Sequence, residues 1–130
     1  GKGNATPEKL VGFVKNFPDS KIVLAHWGGG LPFYELMPEI SDLFNQVYYD
    51  TAASSLLYKP GIFEAAISLI GKNKILFGSD SPLINPSRIL EQIAKSRLSI
   101  SRQKSILSEN ALSLLEPLLC QRSKSNSTQI

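Results

Sequence analysis

The sequence predicts an α/β fold built from repeated strand–helix units. Three short apolar runs, "KIVLAH" (21–26), "QVYYDTA" (46–52) and "KILFGS" (74–79), alternate with segments of helical periodicity, in the order α-β-α-β-α-β-α-α. Strand positions Ile22, Val47 and Ile75 lie 25 and 28 residues apart, enough for one helix in each crossover. Such crossovers are right-handed and join parallel strands. The first run is continuously apolar, the pattern of a strand buried on both faces of a parallel sheet.

Each element has its own signals. Thr6-Pro7-Glu8 starts a helix, with a hydroxyl at the cap and proline in the first turn. Leu10, Phe13, Val14 and Phe17 then form one apolar stripe, and Pro18-Asp19 stops it. "WGGG" (27–30) is a loop free to adopt positive φ. The stretch from Phe33 to Phe44 is helical but carries Pro38, which predicts a kink or two short pieces. "YKPGIFEAAISLIG" supplies the next helix, with Phe63, Ala66, Ile67 and Ile70 on one face and Gly71 as its stop. Asn85-Pro86 opens another, whose stripe is Ile89, Leu90, Ile93 and Ala94. "SRQKSILSENALSLLEPLL" is helical with a break near Ser108; residues 118–130 are expected to be a tail, disordered from Gln121 onward because "QRSKSNSTQI" has almost no apolar content.

Composition narrows the function classes. With 130 residues, 42% hydrophobic and 19% charged, the chain is ordinary globular material with one core. Its 14 basic and 11 acidic residues leave a formal charge of +3, with neither a basic stripe nor interleaved aromatics, so nucleic acid is not an expected partner. The apolar runs fall far short of the roughly 20 residues that span a bilayer, and no signal-like segment opens the chain. A soluble, cytoplasmic protein with no membrane partner is the expectation. The single cysteine, Cys120, cannot form an internal disulfide and lacks a partner at metal-ligand spacing. His26 is the only histidine, which limits every metal hypothesis, since a common zinc site takes three or more protein ligands.

Parallel strands bring their C-terminal ends to one side, the side where α/β folds bind ligands. His26, Asp50 and Asp80 stand there. Local sequence leaves each of them a plain structural role as well. Asp80 before Ser81-Pro82 suits a turn closed by its own side chain; Asp50 before Thr51 suits another; His26 suits a satisfied core or loop histidine. Trp27 either lines a pocket or covers the end of the sheet, and Asn110 caps or packs. The triple glycine invites a phosphate, but neither dinucleotide-binding nor P-loop spacing surrounds it.

"KIVLAHWGGGLPF", "QVYYDTAAS", "ILFGSDSPL" and "ILSENALSLL" resemble, in order, the last three barrel strands and closing helix of the amidohydrolase-related metal-dependent hydrolases, in the branch that includes aromatic-acid and aminocarboxymuconate-semialdehyde decarboxylases. "TPEKLVGFVKNFPDSKIVLAH" resembles that family's helix running into strand six. The resemblance covers residues 1–117. It implies the C-terminal portion of a (β/α)₈ TIM barrel, about strands six to eight with their helices, without the family's paired histidines on strand one or its histidine on strand five.

By the resemblance, Asp80 matches the aspartate ending strand eight, which ligates a metal and takes up a proton from water. His26 matches the strand-six histidine, which binds metal or hydrogen-bonds the substrate. The resemblance thus implies part of an enzyme that hydrolyses or decarboxylates a small organic acid through metal-activated water, with a divalent metal, zinc, as cofactor. Chemistry by this chain alone is not expected. The alternatives are a half-barrel interaction module that has lost the chemistry and a small nucleotide-binding α/β protein. Three strands of an open barrel leave bare edges, so a homo-oligomer, or pairing with the other part of a barrel, is expected.

Overall fold

A computed structural model of the chain describes residues 4–117. The expectations for Cys120 and for the 118–130 tail lie outside the described residues. Helix α1 (Pro7–Asn16) starts where the sequence places it, with Thr6 extended at the cap and Pro7 in the first turn. Its buried side differs from the predicted stripe. Val14 is buried and Leu10 and Val11 lean on the core, whereas Phe13 and Phe17 are each 49% exposed. The two rings pack on one another instead, with centroids 4.9 Å apart.

Three parallel strands follow in the order β1 (Ile22–Leu24), β2 (Val47–Asp50) and β3 (Ile75–Leu76). Leu24 pairs with Tyr49 and Tyr49 with Ile75, so these three share one face. All three are buried. They form the core together with Trp27, Leu31, Phe44, Phe63 and Ile89. The opposite face carries Val23, Tyr48, Asp50 and Leu76. Val23, at 45% exposed, shows that this face is only partly covered. The predicted run 74–79 contributes only two residues to the ladder, which corrects the expectation that Asp80 lies just beyond a strand.

The crossover from β1 to β2 begins with a left-handed turn and continues to Leu36 as 3₁₀ structure. It then re-forms as helix α2 (Pro38–Leu43), the two-piece solution expected from Pro38. A short helix not anticipated from the sequence, α3 (Ser54–Leu57), precedes α4 (Ile62–Ile70). Phe63, Ala66 and Ile67 are the buried face of α4, as predicted, and Gly71 ends it.

Helix α5 (Pro86–Ala94) is capped by Asn85, whose Oδ1 accepts the Ser87 N–H at 3.0 Å. Ile89 and Ile93 face the core, but Leu90 and Ala94 are exposed, so the buried stripe is narrower than predicted. Helix α6 (Ile100–Lys104) opens into a π turn at Ser105–Glu109, across the break expected near Ser108, and continues as helix over 110–117. The Ile106 carbonyl in that wide turn accepts the Phe77 N–H at 3.0 Å, which ties the last helix to β3. Among the described residues no helix is long and apolar enough to cross a membrane.

Candidate active-site rim

The C-terminal ends of the strands bring together three loops, and the first has an uncommon backbone. His26, Trp27, Gly28, Gly29 and Gly30 all have positive φ, at 56°, 58°, 56°, 66° and 99°. For His26 and Trp27 this conformation costs roughly 1–2 kcal/mol per residue. Surrounding contacts hold it. The Trp27 indole is fully buried, donates from Nε1 to Ser54 Oγ at 2.7 Å and meets the Phe63 ring edge-on at 5.7 Å between centroids. Ser54 Oγ donates in turn to the Thr51 carbonyl at 2.6 Å. Trp27 therefore covers the end of the core, the second of its two predicted roles, and it also borders a small apolar cavity of about 140 Å³ beside Phe33 and Tyr58.

Gly28 is buried under the same turn. A Cβ there would lie 3.1 Å from Tyr49 Cε1 and 3.2 Å from Leu31 Cβ, so the position needs both positive φ and the absence of a side chain. Gly28 thus serves packing, and that close fit gives no support to the phosphate-cradle reading.

His26 and Asp50 are directly linked. The His26 N–H donates to Asp50 Oδ1 at 2.8 Å, and the same oxygen accepts the Ala52 N–H at 3.0 Å. The second bond is the local turn predicted for Asp50; the first ties β2 to the loop after β1. The His26 ring places Nδ1 3.2 Å from the Ala52 carbonyl. A carbonyl oxygen only accepts, so Nδ1 is the donor and carries the proton, and in the neutral ring Nε2 keeps its lone pair. This is the tautomer suited to ligating a metal or taking up a proton through Nε2.

The loop after β3 is fastened by Thr51 where the ladder has stopped. Thr51 Oγ1 accepts the Gly78 N–H at 3.0 Å and donates to the Gly78 carbonyl at 2.9 Å. Gly78 lies so close to Asp50 that a Cβ would be 3.1 Å from Asp50 Cγ. Two residues on, Asp80 has φ of 70° and is half-buried. Its carboxylate does not close the local turn. Ser79 Oγ does so by accepting the Ser81 N–H at 3.2 Å, and Asp80 forms no side-chain hydrogen bond among the described residues.

The structure thus joins His26 to Asp50 by hydrogen bonding and Asp50 to the Gly78 segment by close packing, while Asp80 keeps a free carboxylate on the same rim. Among the described residues no cluster of three or more histidine, cysteine, aspartate or glutamate side chains could hold a metal by itself.

Sequence reasoning did not single out Thr51 or Ser54, whose hydroxyls join the loops. The local signal was a Thr directly after a strand-ending Asp, but its partner lies 27 residues away. It also did not single out a buried polar cluster under the left-handed turn. The Tyr49 hydroxyl donates to Glu35 Oε1 at 2.7 Å, and Lys74 pairs with Glu35 Oε2 and donates to the Phe44 carbonyl at 2.9 Å. Burial pushes the Tyr49 phenol far above its ordinary pKa, and the hydrogen bond and charge of Glu35 push it further, so Tyr49 remains a donor.

An α/β scaffold of parallel strands with an imidazole and carboxylates beyond their C-terminal ends has the layout of barrel folds, which bind ligands on that side. The chain belongs to the amidohydrolase family, which matches residues 4–116. Among curated relatives it is 32% identical to 6-methylsalicylic acid decarboxylase of Penicillium expansum, covering 62% of this chain and 29% of that protein. It is 27% identical to gamma-resorcylate decarboxylase of Polaromonas sp. strain JS666, covering 81% of this chain and 37% of that protein. It also superposes on the crystal structure of a dihydroxybenzoic acid decarboxylase from Polaromonas sp. JS666 with bound manganese and the inhibitor 2-nitroresorcinol. That match has a TM-score of 0.67 at 26% identity and covers 82% of this chain and 36% of that one. The chain spans about a third of the length of the curated relatives it matches. An α/β fold matching part of a barrel is therefore the architecture, as expected.

Proposed function

We propose that this chain is the part of a metal-dependent amidohydrolase-family enzyme made of barrel strands six to eight, and that it brings His26 and Asp80 to the active site. The reaction we infer is decarboxylation of a small aromatic acid. The relatives named above support that choice over hydrolysis, since they are decarboxylases. The observation that carries the reading is the hydrogen bond from His26 Nδ1 to the Ala52 carbonyl, which leaves the Nε2 lone pair on the rim that also holds Asp80, whose carboxylate has no hydrogen bond among the described residues.

These two groups suit a divalent ion as donors: one imidazole nitrogen with a free lone pair and one carboxylate not used by its own turn. They do not complete a site, so the remaining ligands would come from other barrel strands. When bound, a zinc or manganese ion would act as a Lewis acid toward the substrate's oxygens or toward water. Asp80 would help hold the ion and accept a proton. With one lone pair on Nε2, His26 would either ligate the ion or accept and return a proton near the carboxylated carbon, its ring orientation fixed from behind by the Ala52 carbonyl. The partner is a small carboxylic acid, and we place the enzyme in the cytoplasm.

The test is metal content and turnover of the protein carrying this sequence, with 2,6-dihydroxybenzoate as the first substrate. Asp80→Asn is expected to lower metal occupancy and to reduce turnover by about 100-fold or more. Full occupancy with full turnover in that variant would show the assignment to be wrong. A second reading, a half-barrel kept as an interaction module, is favoured by the lack of three clustered ligands among the described residues. Absence of both bound metal and decarboxylase activity in the intact protein would select it.

A further inference from the structure

We propose that Asp50, for which the family resemblance supplied no role, is the positioning residue for His26: a single carboxylate oxygen sets both the main chain and the ring tautomer of the histidine. The inference deepens the reading of His26 given above and rests on it for its functional meaning, though not for its test.

The geometry makes Oδ1 a shared anchor. It accepts the His26 N–H at 2.8 Å and the Ala52 N–H at 3.0 Å. The first bond holds His26 at φ 56°, where a non-glycine residue has no intrinsic preference to be. The second orients the residue whose carbonyl receives His26 Nδ1 at 3.2 Å. One oxygen therefore controls the residue bearing the imidazole and the group that decides which ring nitrogen is bare. Charge strengthens both bonds, because an ionised acceptor bonds N–H groups more strongly than a neutral one.

Asp50 is itself fixed. It ends β2 on the sheet face that carries Val23 and Leu76. Gly78 closes in behind it, leaving 3.1–3.2 Å between its missing Cβ and the Asp50 carboxyl group. Any side chain at position 78 would push on that carboxyl group. The two glycines of the rim thus have distinct duties: Gly28 lets the turn pack on Tyr49, and Gly78 leaves room for the anchor.

The test uses ring-¹⁵N-histidine labelling of the intact protein without metal, at a pH above the ordinary imidazole pKa of about 6.5. The His26→Gln spectrum identifies the signals of His26 by subtraction. In the native protein Nδ1 should be the protonated, pyrrole-type nitrogen and Nε2 the bare, pyridine-type one. Asp50→Ala should give a mixture of tautomers, and Asp50→Asn, which keeps an acceptor oxygen in place, should restore most of the Nδ1–H form.

In the metal-loaded enzyme Asp50→Ala should lower activity by about 10–100-fold, in the range of groups that orient a ligand from behind, with Asp50→Asn losing less. A native His26 protonated on Nε2 overturns the proposal without any variant. So does an Asp50→Ala protein that keeps Nδ1–H unchanged. If Asp50→Ala does not fold, the native spectrum and Asp50→Asn decide. A protein that shows the Asp50-dependent tautomer yet takes up neither Mn²⁺ nor Zn²⁺ leaves this inference standing and removes the metal-enzyme reading.

Discussion

Gly28 and Gly29 are adjacent and nearly identical in backbone, with φ of 56° and 66°, but differ in surroundings. A Cβ at Gly28 meets Tyr49 and Leu31 within 3.2 Å, while at Gly29 nothing lies within 4 Å. Gly29→Ala should therefore cost only the left-handed penalty, about 1–2 kcal/mol. Gly28→Ala should cost that plus an overpacking term of about 1–3 kcal/mol. Denaturant unfolding of the two variants checks the difference, and equal losses would mean that Tyr49 yields freely. At this scale the sequence was a partial guide. "HWGGG" announced a turn needing positive φ, but not that His26 and Trp27 would share it, since their strain is held by Asp50 and Ser54, 24 and 27 residues away. Likewise local sequence suits Asp80 to closing its own turn, whereas Ser79 Oγ closes it by accepting the Ser81 N–H.

Among the elements, β3 is the one whose hold on the molecule comes from outside the sheet. It has two residues in the ladder, so side chains finish its attachment: Thr51 at its exit and Asn110 at its entry. Asn110 Nδ2 donates to the Lys72 carbonyl at 2.6 Å and to the Ile75 carbonyl at 2.7 Å. Asn110→Ala sets two effects against each other. Alanine is the better helix former, by a few tenths of a kcal/mol, so the last helix taken alone gains. Two carbonyls, one in the turn before β3 and one at its first residue, lose their donor, at roughly 1–2 kcal/mol each. Loss should win, with stability falling by about 2–3 kcal/mol and amide protection falling first at residues 74–78 in hydrogen exchange. A variant as stable as the native protein would mean that water replaces the amide without cost. Helix positions were legible because caps and periodicity are local, as at Thr6-Pro7 and Asn85-Pro86. Strand lengths were not, because the end of a strand depends on what its neighbour offers, and beside β3 that is a threonine hydroxyl.

For the whole molecule, the unpaired surface decides behaviour. In the order β1-β2-β3, both β1 and β3 have one neighbour, which leaves an open edge on each side of the described sheet. Val23 lies 45% exposed on the partly covered face, and Phe13 and Phe17 are each 49% exposed on α1. Open edges beside apolar surface invite pairing with another chain. We expect the 130-residue chain on its own to self-associate at micromolar concentration, whereas the same sequence within a closed barrel would have its edges paired. Light scattering against concentration distinguishes these cases. An inward-pointing charge is one of the devices that keep sheet edges apart, so Val23→Lys should shift the isolated chain toward smaller species. The substitution is not expected to disturb the core, which lies on the Leu24, Tyr49 and Ile75 face. A monodisperse native monomer with sharp cooperative unfolding would contradict the expectation: it would mean that the three strands and their helices are sufficient as a domain, and would move the balance toward the interaction-module reading.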